Sequence, residues 1–129
     1  MTSTPTPVDP PELPSNPAFA QGMILPAAPT VYVGGQNGVD ADGTLLDGLQ
    51  AQTEQALRNV LAVLAAAGSD AEHTAKPTIY PDPSVDPNPA YAASRAVWTT
   101  RTAVTVLSIA PARAGALVEI EAVATVPAR

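Results

Sequence analysis

The chain contains no cysteine, which excludes disulfides, thiolate nucleophiles and thiolate metal sites. Basic residues are scarce and scattered. Lys76 is the only lysine, and Arg58, Arg95, Arg101, Arg113 and Arg129 form no run. Twelve acids against six bases give a net charge of −6. Proteins that bind nucleic acid displace counterions from phosphates with a basic patch, so no nucleic-acid partner is expected. Large aromatic side chains are few, with one Phe, one Trp and three Tyr among 129 residues. Alanine supplies much of the 46% apolar share and buries little area, so at roughly 25 cal/mol per Å² a lone subunit has a thin core. One sheet face is therefore expected to be covered by another copy of the chain. No apolar run approaches membrane-spanning length and no signal peptide is recognised, so a soluble, cytoplasmic protein with no membrane partner is expected.

The length fits a single domain. Residues 1–13 read as a Pro-rich flexible tail, because Pro5, Pro7, Pro10 and Pro11 remove amide donors and favour extended backbone. The domain then spans 14–129. Met23–Leu25 and Thr30–Val33 read as short strands, with Gly34-Gly35-Gln36 ending the second, either at a bulge or where a ligand approaches the backbone. Asp40-Ala-Asp42-Gly43 is a fragment of a calcium-loop pattern without the glutamate that completes it, so no metal site is expected. Leu46, Leu49, Ala56, Leu57, Val60, Leu61 and Leu64 recur at three- and four-residue spacing, predicting an amphipathic helix of about twenty residues stopped by Gly68. Glu54 and Arg58 form an i,i+4 pair on its surface. His73, the only histidine, falls in a loop after this helix and reads as solvated. Thr74–Tyr80 reads as a strand in which Pro77 calls for an edge position or a bulge. Asp86 or Asn88 is placed to cap a short helix through Tyr91–Val97, closed by Trp98.

The last thirty residues hold the strongest chemical signal. Arg101-Thr-Ala-Val-Thr-Val106 and Val118-Glu-Ile-Glu-Ala-Val-Ala124 both alternate as half-buried strands do. Val118, Ile120, Ala122 and Ala124 form one face of the second strand, leaving Glu119 and Glu121 on the other. Paired as a hairpin around 110–115, the strands would place Arg101 within a residue or two of Glu119. The two side chains then read either as a structural ion pair, contributing about 0–1 kcal/mol, or as a site that recognises a small carboxylic acid and moves a proton. The element order, strand–strand–helix–strand–helix–strand–strand, predicts a two-layer α+β domain with helices on one face of a mixed sheet.

Val31-Tyr-Val-Gly-Gly35-Gln36, Gln55-Ala-Leu-Arg-Asn59 through Gly68, Asn88-Pro-Ala-Tyr91, Arg101-Thr-Ala-Val104 and Val118-Glu-Ile-Glu-Ala-Val-Ala124 together resemble the signature of the Rid family, also called YjgF/YER057c/UK114. The match runs in order over about residues 14–126. The resemblance implies a chorismate-mutase-like fold and a homotrimer with ligand clefts between subunits. It also implies hydrolysis of enamines and imines such as 2-aminoacrylate or 2-iminobutyrate to 2-keto acids and ammonia, without metal or cofactor.

Residue by residue, the resemblance places Arg101 at the arginine that clamps the substrate carboxylate, a task suited to a bidentate guanidinium fork. Glu119 falls at the glutamate that positions water and shuttles a proton. Gly35 falls at the glycine whose backbone lies against the ligand, and Asn88 at a cleft-edge asparagine. Phe19 stands where tyrosine is frequent, Ala103 where many members carry cysteine, and the segment from Tyr91 to Arg101 is several residues short. Those departures keep open a noncatalytic trimer that binds a keto acid or amino acid. An endoribonuclease or translation-inhibitor role is disfavoured by the net charge of −6 and the absence of a stacking platform.

Overall fold

The computed structural model describes residues 4–128. A long helix, α1 (Leu49–Ala66), packs on a four-stranded mixed sheet, and a short helix, α2 (Asn88–Ser94), packs against α1. The sheet is built from β3 (Thr30–Asn37), β4 (Thr74–Pro81), β5 (Thr105–Val106) and β6 (Val118–Thr125), in the order β3-β6-β4-β5. A separate two-stranded sheet joins β1 (Thr6–Val8) to β2 (Gly22–Ile24). The α+β architecture with both helices in one layer follows the sequence pattern.

The alternation in β6 decides the core. Val118, Ile120, Ala122 and Ala124 are buried against Val33 and the α1 side chains Ala56, Leu57, Val60 and Leu64. Leu64 is fully buried, so Leu64→Ala is a cavity-forming change of about 2–5 kcal/mol. Helix α1 ends as Gly68 predicts. Gly68 takes φ +83°, its N–H donates to Ala65 O, and Ser69 N–H reaches back to Leu64 O at 2.8 Å, closing the last turn. The Glu54–Arg58 pair is not formed, and the ion pairs among the described residues lie elsewhere.

Four expectations are corrected by the register. First, β5 and β6 are not a hairpin. β5 runs parallel to β4 (Thr78 opposite Thr105), while β6 runs antiparallel to β4 on its other edge (Tyr80 opposite Glu119). Parallel neighbours need a helix-sized crossover, and α2 supplies it between β4 and β5. Second, Pro77 lies in an interior strand. The carbonyls of Ala75, Ile79 and Pro81 all accept from the β5 side, at Ala103, Leu107 and Ile109. By alternation the missing Pro77 donor faces that same side, where the strand is only two residues long, and the bulge lies just before it, between Thr74 and Lys76. Third, Gly34 and Gly35 do not end β3; they form a bulge between Val33 and Gln36, and the strand continues to Asn37. Fourth, Thr6–Val8 of the expected tail is strand β1, with Pro7 opposite Met23. An edge strand tolerates a proline because one side of it needs no donors.

Smaller shifts occur nearby. His73 belongs to a 3₁₀ turn at Ala71–His73, and its half-buried ring meets Asp70 Oδ1 at 2.6 Å rather than standing in solvent. Helix α2 starts at Asn88 and ends at Ser94, earlier than the spacing suggests. Asp86 Oδ1 accepts from Asn88 N–H, so Asp86, not Asn88, supplies the side-chain bond at the helix entry.

Candidate functional site

The predicted residues fall into two groups on the sheet. The first surrounds Arg101. Its guanidinium donates from Nε and Nη2 to Asn16 O, from Nη2 to Phe19 O at 2.8 Å, and from Nη1 to Asp9 Oδ2 at 2.9 Å. Ala20 N–H donates to Thr102 O, which keeps the Phe19 segment beside Arg101. Ala103 lies two residues on and is tied to β4 through its N–H to Ala75 O. The Nε and Nη2 donors are thus consumed by backbone carbonyls, and only the Nη1 end of the expected fork is turned to anything else. Phe19 is half-buried and, with Trp98, Pro77, Ile79, Val104 and Val106, lines an apolar cavity of ≈ 260 Å³ behind Arg101.

The second group surrounds Glu119. On β6 it faces Asn37 across β3 and Tyr80 across β4. Asn37 Nδ2 donates to Val118 O at 3.3 Å and approaches Glu119 Oε1 at 3.4 Å. Gly35 lies directly against this carboxylate, since a Cβ there would stand 2.0 Å from Glu119 Oε2. The glycine is required for close approach; its backbone angles are ordinary. Next along β6, Glu121 accepts a short hydrogen bond from the Tyr80 hydroxyl, which pushes the phenol above its ordinary pKa, with partial burial adding to the effect. Asn88 is exposed and lines a second cavity of ≈ 240 Å³ with Pro81 and Tyr91.

Helix α1 fixes the Glu119 end. Asn59 Nδ2 donates to Asn37 O and Val39 O, holding the end of β3. Gln52, 2% exposed, donates to Leu46 O and Gly115 O and accepts from Leu117 N–H. It thereby ties the loop before β6 to the helix. Gly38 packs so closely on α1 that a Cβ would meet Gln52 Cα at 2.4 Å.

The two groups do not meet within the chain. Extending the Thr78–Thr105 register puts Ala103 level with Lys76, whereas Glu119 stands level with Tyr80. At about 3.3 Å per residue these levels are about 13 Å apart, and Arg101, two residues further out, is roughly 20 Å away along the strand. A single small substrate cannot touch both from one subunit. Phe19, Ala103 and Arg101 belong to one end and Gly35 and Glu119 to the other, while Asn88 joins neither group and lines a cavity that shares Ile79, Tyr91, Ser94 and Val106 with the one behind Arg101.

Several side chains of these groups gave no signal in the sequence. Asp9 lies ninety-two residues from Arg101 along the chain, and no local pattern links them. Its carboxyl is held below the ordinary value of 3.8, first by the Arg101 hydrogen bond and then by Gln21 N–H on Oδ1. Tyr80 was visible only as a strand residue, and nothing in the sequence singled out Gln52. No group of three or more potential His, Asp or Glu metal ligands occurs among the described residues. No helix among them is long and apolar enough to cross a membrane.

Fold and site together define an α+β protein with a guanidinium at one end of its sheet and a glycine-backed carboxylate at the other. Residues 12–126 match the family described as endoribonuclease L-PSP. The chain belongs to this family, the Rid or YjgF family. Among solved structures it is similar to the Rid-family protein YyfB of Yersinia pestis, at 27% identity and TM-score 0.79, over 95% of this chain and 98% of that one. A probable translation initiation inhibitor from Rhodopseudomonas palustris shares 25% identity with TM-score 0.70, covering 95% and 96% of the two chains. The YjgF gene product of E. coli shares 25% with TM-score 0.70, covering 93% and 98%. The comparison with curated proteins finds no match.

Proposed function

We propose that the protein is a cofactor-independent deaminase that hydrolyses enamine and imine forms of short 2-amino acids, of the 2-aminoacrylate and 2-iminobutyrate type, to 2-keto acids and ammonia. The working unit is a chorismate-mutase-like homotrimer, and each cleft takes Arg101 from one subunit and Glu119 from its neighbour. The observation that carries this reading is the separation of the two groups, each intact at its own end of the sheet. A substrate needing both a cation and a carboxylate must bind between copies. Tyr32 on β3, 77% exposed, and Leu107 and Ile109 beyond β5 offer apolar surface for that contact.

The chemistry follows from the groups. The enamine first tautomerises to the imine. The Nη1 end of Arg101 holds the substrate carboxylate through a charge-assisted hydrogen bond. Water bonds to the carbon of the protonated imine while Glu119 accepts one of its protons, giving a neutral carbinolamine. Glu119 passes that proton to the amine nitrogen, then takes the hydroxyl proton as the carbon–nitrogen bond breaks. The keto group forms, ammonia leaves, and the proton on Glu119 departs with it as ammonium. Gly35 lets the carboxylate lie flat against β3, and Phe19 closes the apolar side of the Arg101 end. Orientation of water and imine in a closed cleft supplies the rate.

The test is a coupled assay in which a pyridoxal-phosphate dehydratase generates 2-aminoacrylate or 2-iminobutyrate in place. Acceleration of keto-acid release that vanishes in Arg101→Ala is the expected result. No acceleration by the native protein, with tight binding of 2-oxobutyrate, would favour the noncatalytic reading. Asp9 on Arg101 is the observation that keeps that second reading in view. Nuclease chemistry receives no support from a chain of net charge −6.

A further inference from the structure

Asp9 holds Arg101 in the way a ligand carboxylate would. Its Oδ2 sits 2.9 Å from Nη1, and its Oδ1 accepts from Gln21 N–H at 3.1 Å. The segment that delivers it is tied down twice, by the β1–β2 pairing and by Gln21 Nε2 donating to Pro14 O. Nε and Nη2 are already committed to Asn16 O and Phe19 O, so Nη1 is the end of the guanidinium left for a ligand. With Asp9 in place, an incoming carboxylate finds a single Nη1–H and a negative charge beside it. With Asp9 withdrawn, it finds the whole Nη1 end.

We propose that Asp9 is a built-in competitor for the carboxylate of the ligand, so that the affinity of the Arg101 site is set by the chain's own N-terminal segment. This rests on the reading of Arg101 as the carboxylate clamp. The competitor is poised to release. Asp9 and Arg101 keep 28% and 31% of their side-chain surface exposed, and β1 is exposed throughout and only three residues long. A pair of that exposure is weak enough for a ligand to displace, and strong enough to lower its apparent affinity. Asp9 lowers the apparent affinity of every carboxylate that needs the Nη1 end by the same factor, so ligands that also gain contacts elsewhere in the cleft still bind in a useful range. The device sets the concentration at which the site fills.

The experiment is calorimetric titration of 2-oxobutyrate, and separately of acetate, into the full-length native chain, Asp9→Ala, Asp9→Asn and Arg101→Ala, at neutral pH and fixed ionic strength. The expected result is binding of 2-oxobutyrate about two- to fivefold tighter to Asp9→Ala than to the native chain, with Asp9→Asn between them and Arg101→Ala without binding. Acetate binding should tighten by the same factor on replacing Asp9. In the native chain, saturating 2-oxobutyrate should also shift the Gln21 amide resonance as Asp9 leaves Arg101. Binding that depends on Arg101 but is unchanged or weaker in Asp9→Ala would overturn the competitor and leave the clamp standing. Binding indifferent to Arg101, or absent from every variant, would overturn the clamp and the competitor together.

Discussion

Arg101 and Glu119 stand at opposite ends of β4, roughly 20 Å apart along the strand at about 3.3 Å per residue. The hydrogen bonds of each explain why it is fixed. Arg101 is anchored by three groups of the segment before β2, and Glu119 lies wedged between Asn37 and Gly35. Each half-site is held by its own hydrogen bonds and close contacts, and it is their separation that the proposed cleft between copies rests on.

Gly35 tests the Glu119 half-site. A methyl group at this position meets the end of a flexible side chain, so Gly35→Ala should lower stability by less than about 1 kcal/mol. The displaced carboxylate should nevertheless lower turnover by about 100-fold, as expected for a reacting group moved by about an ångström. Denaturant titration beside the coupled assay reads both. In a double-mutant cycle with Glu119→Ala, the stability loss at Gly35 should disappear.

Gln52 tests the frame behind that half-site. Gln52→Ala leaves Leu46 O, Gly115 O and Leu117 N–H without their partner, an expected loss of about 2–4 kcal/mol in urea unfolding. A loss as small as that of a typical surface substitution would show that the loop before β6 is held by something else.

The legible part of the fold was what period and punctuation carry. The β6 alternation, the α1 stripe and the Gly68 cap were plain because burial on one face demands them. What alternation does not carry is partner choice. It reads the same whether the Arg101 strand pairs with β6 or with β4, and this is why the expected hairpin failed. The candidate site was legible as residue types at Arg101, Glu119 and Gly35, but its geometry was not. Asp9 joins Arg101 through tertiary structure alone, and β1 follows from three backbone pairings in a stretch whose prolines argue for an open tail.

Acid should loosen Asp9. Its carboxyl titrates below 3.8 in the folded chain, so the folded state binds fewer protons there than the unfolded state does. Its contribution to stability is complete above the ordinary value and is lost as pH falls through the lowered one. The Gln21 amide resonance should therefore move in a step below pH 3.8, and Arg101→Ala should bring that step back up. A step at or above the ordinary value in the native chain would contradict the contact.

Alkali should report on Tyr80. Its phenol is raised above 10.0 by the bond to Glu121, so the stabilisation is complete below pH 10.0 and is lost as pH rises through the folded value. Phenolate absorbance should show Glu121→Gln lowering the Tyr80 titration toward its ordinary position. An unchanged curve would place the hydroxyl away from Glu121.

The most direct test of the central claim is complementation between two inactive chains. Arg101→Ala and Glu119→Gln are prepared separately, mixed under denaturant in equal amounts, refolded, and assayed with dehydratase-generated 2-iminobutyrate. If each cleft draws Arg101 from one subunit and Glu119 from the next, random assembly restores intact clefts and about a quarter of native activity returns. If the mixture is as inactive as its components while the refolded native protein recovers, the two residues do not act together across a subunit boundary, and the account is wrong.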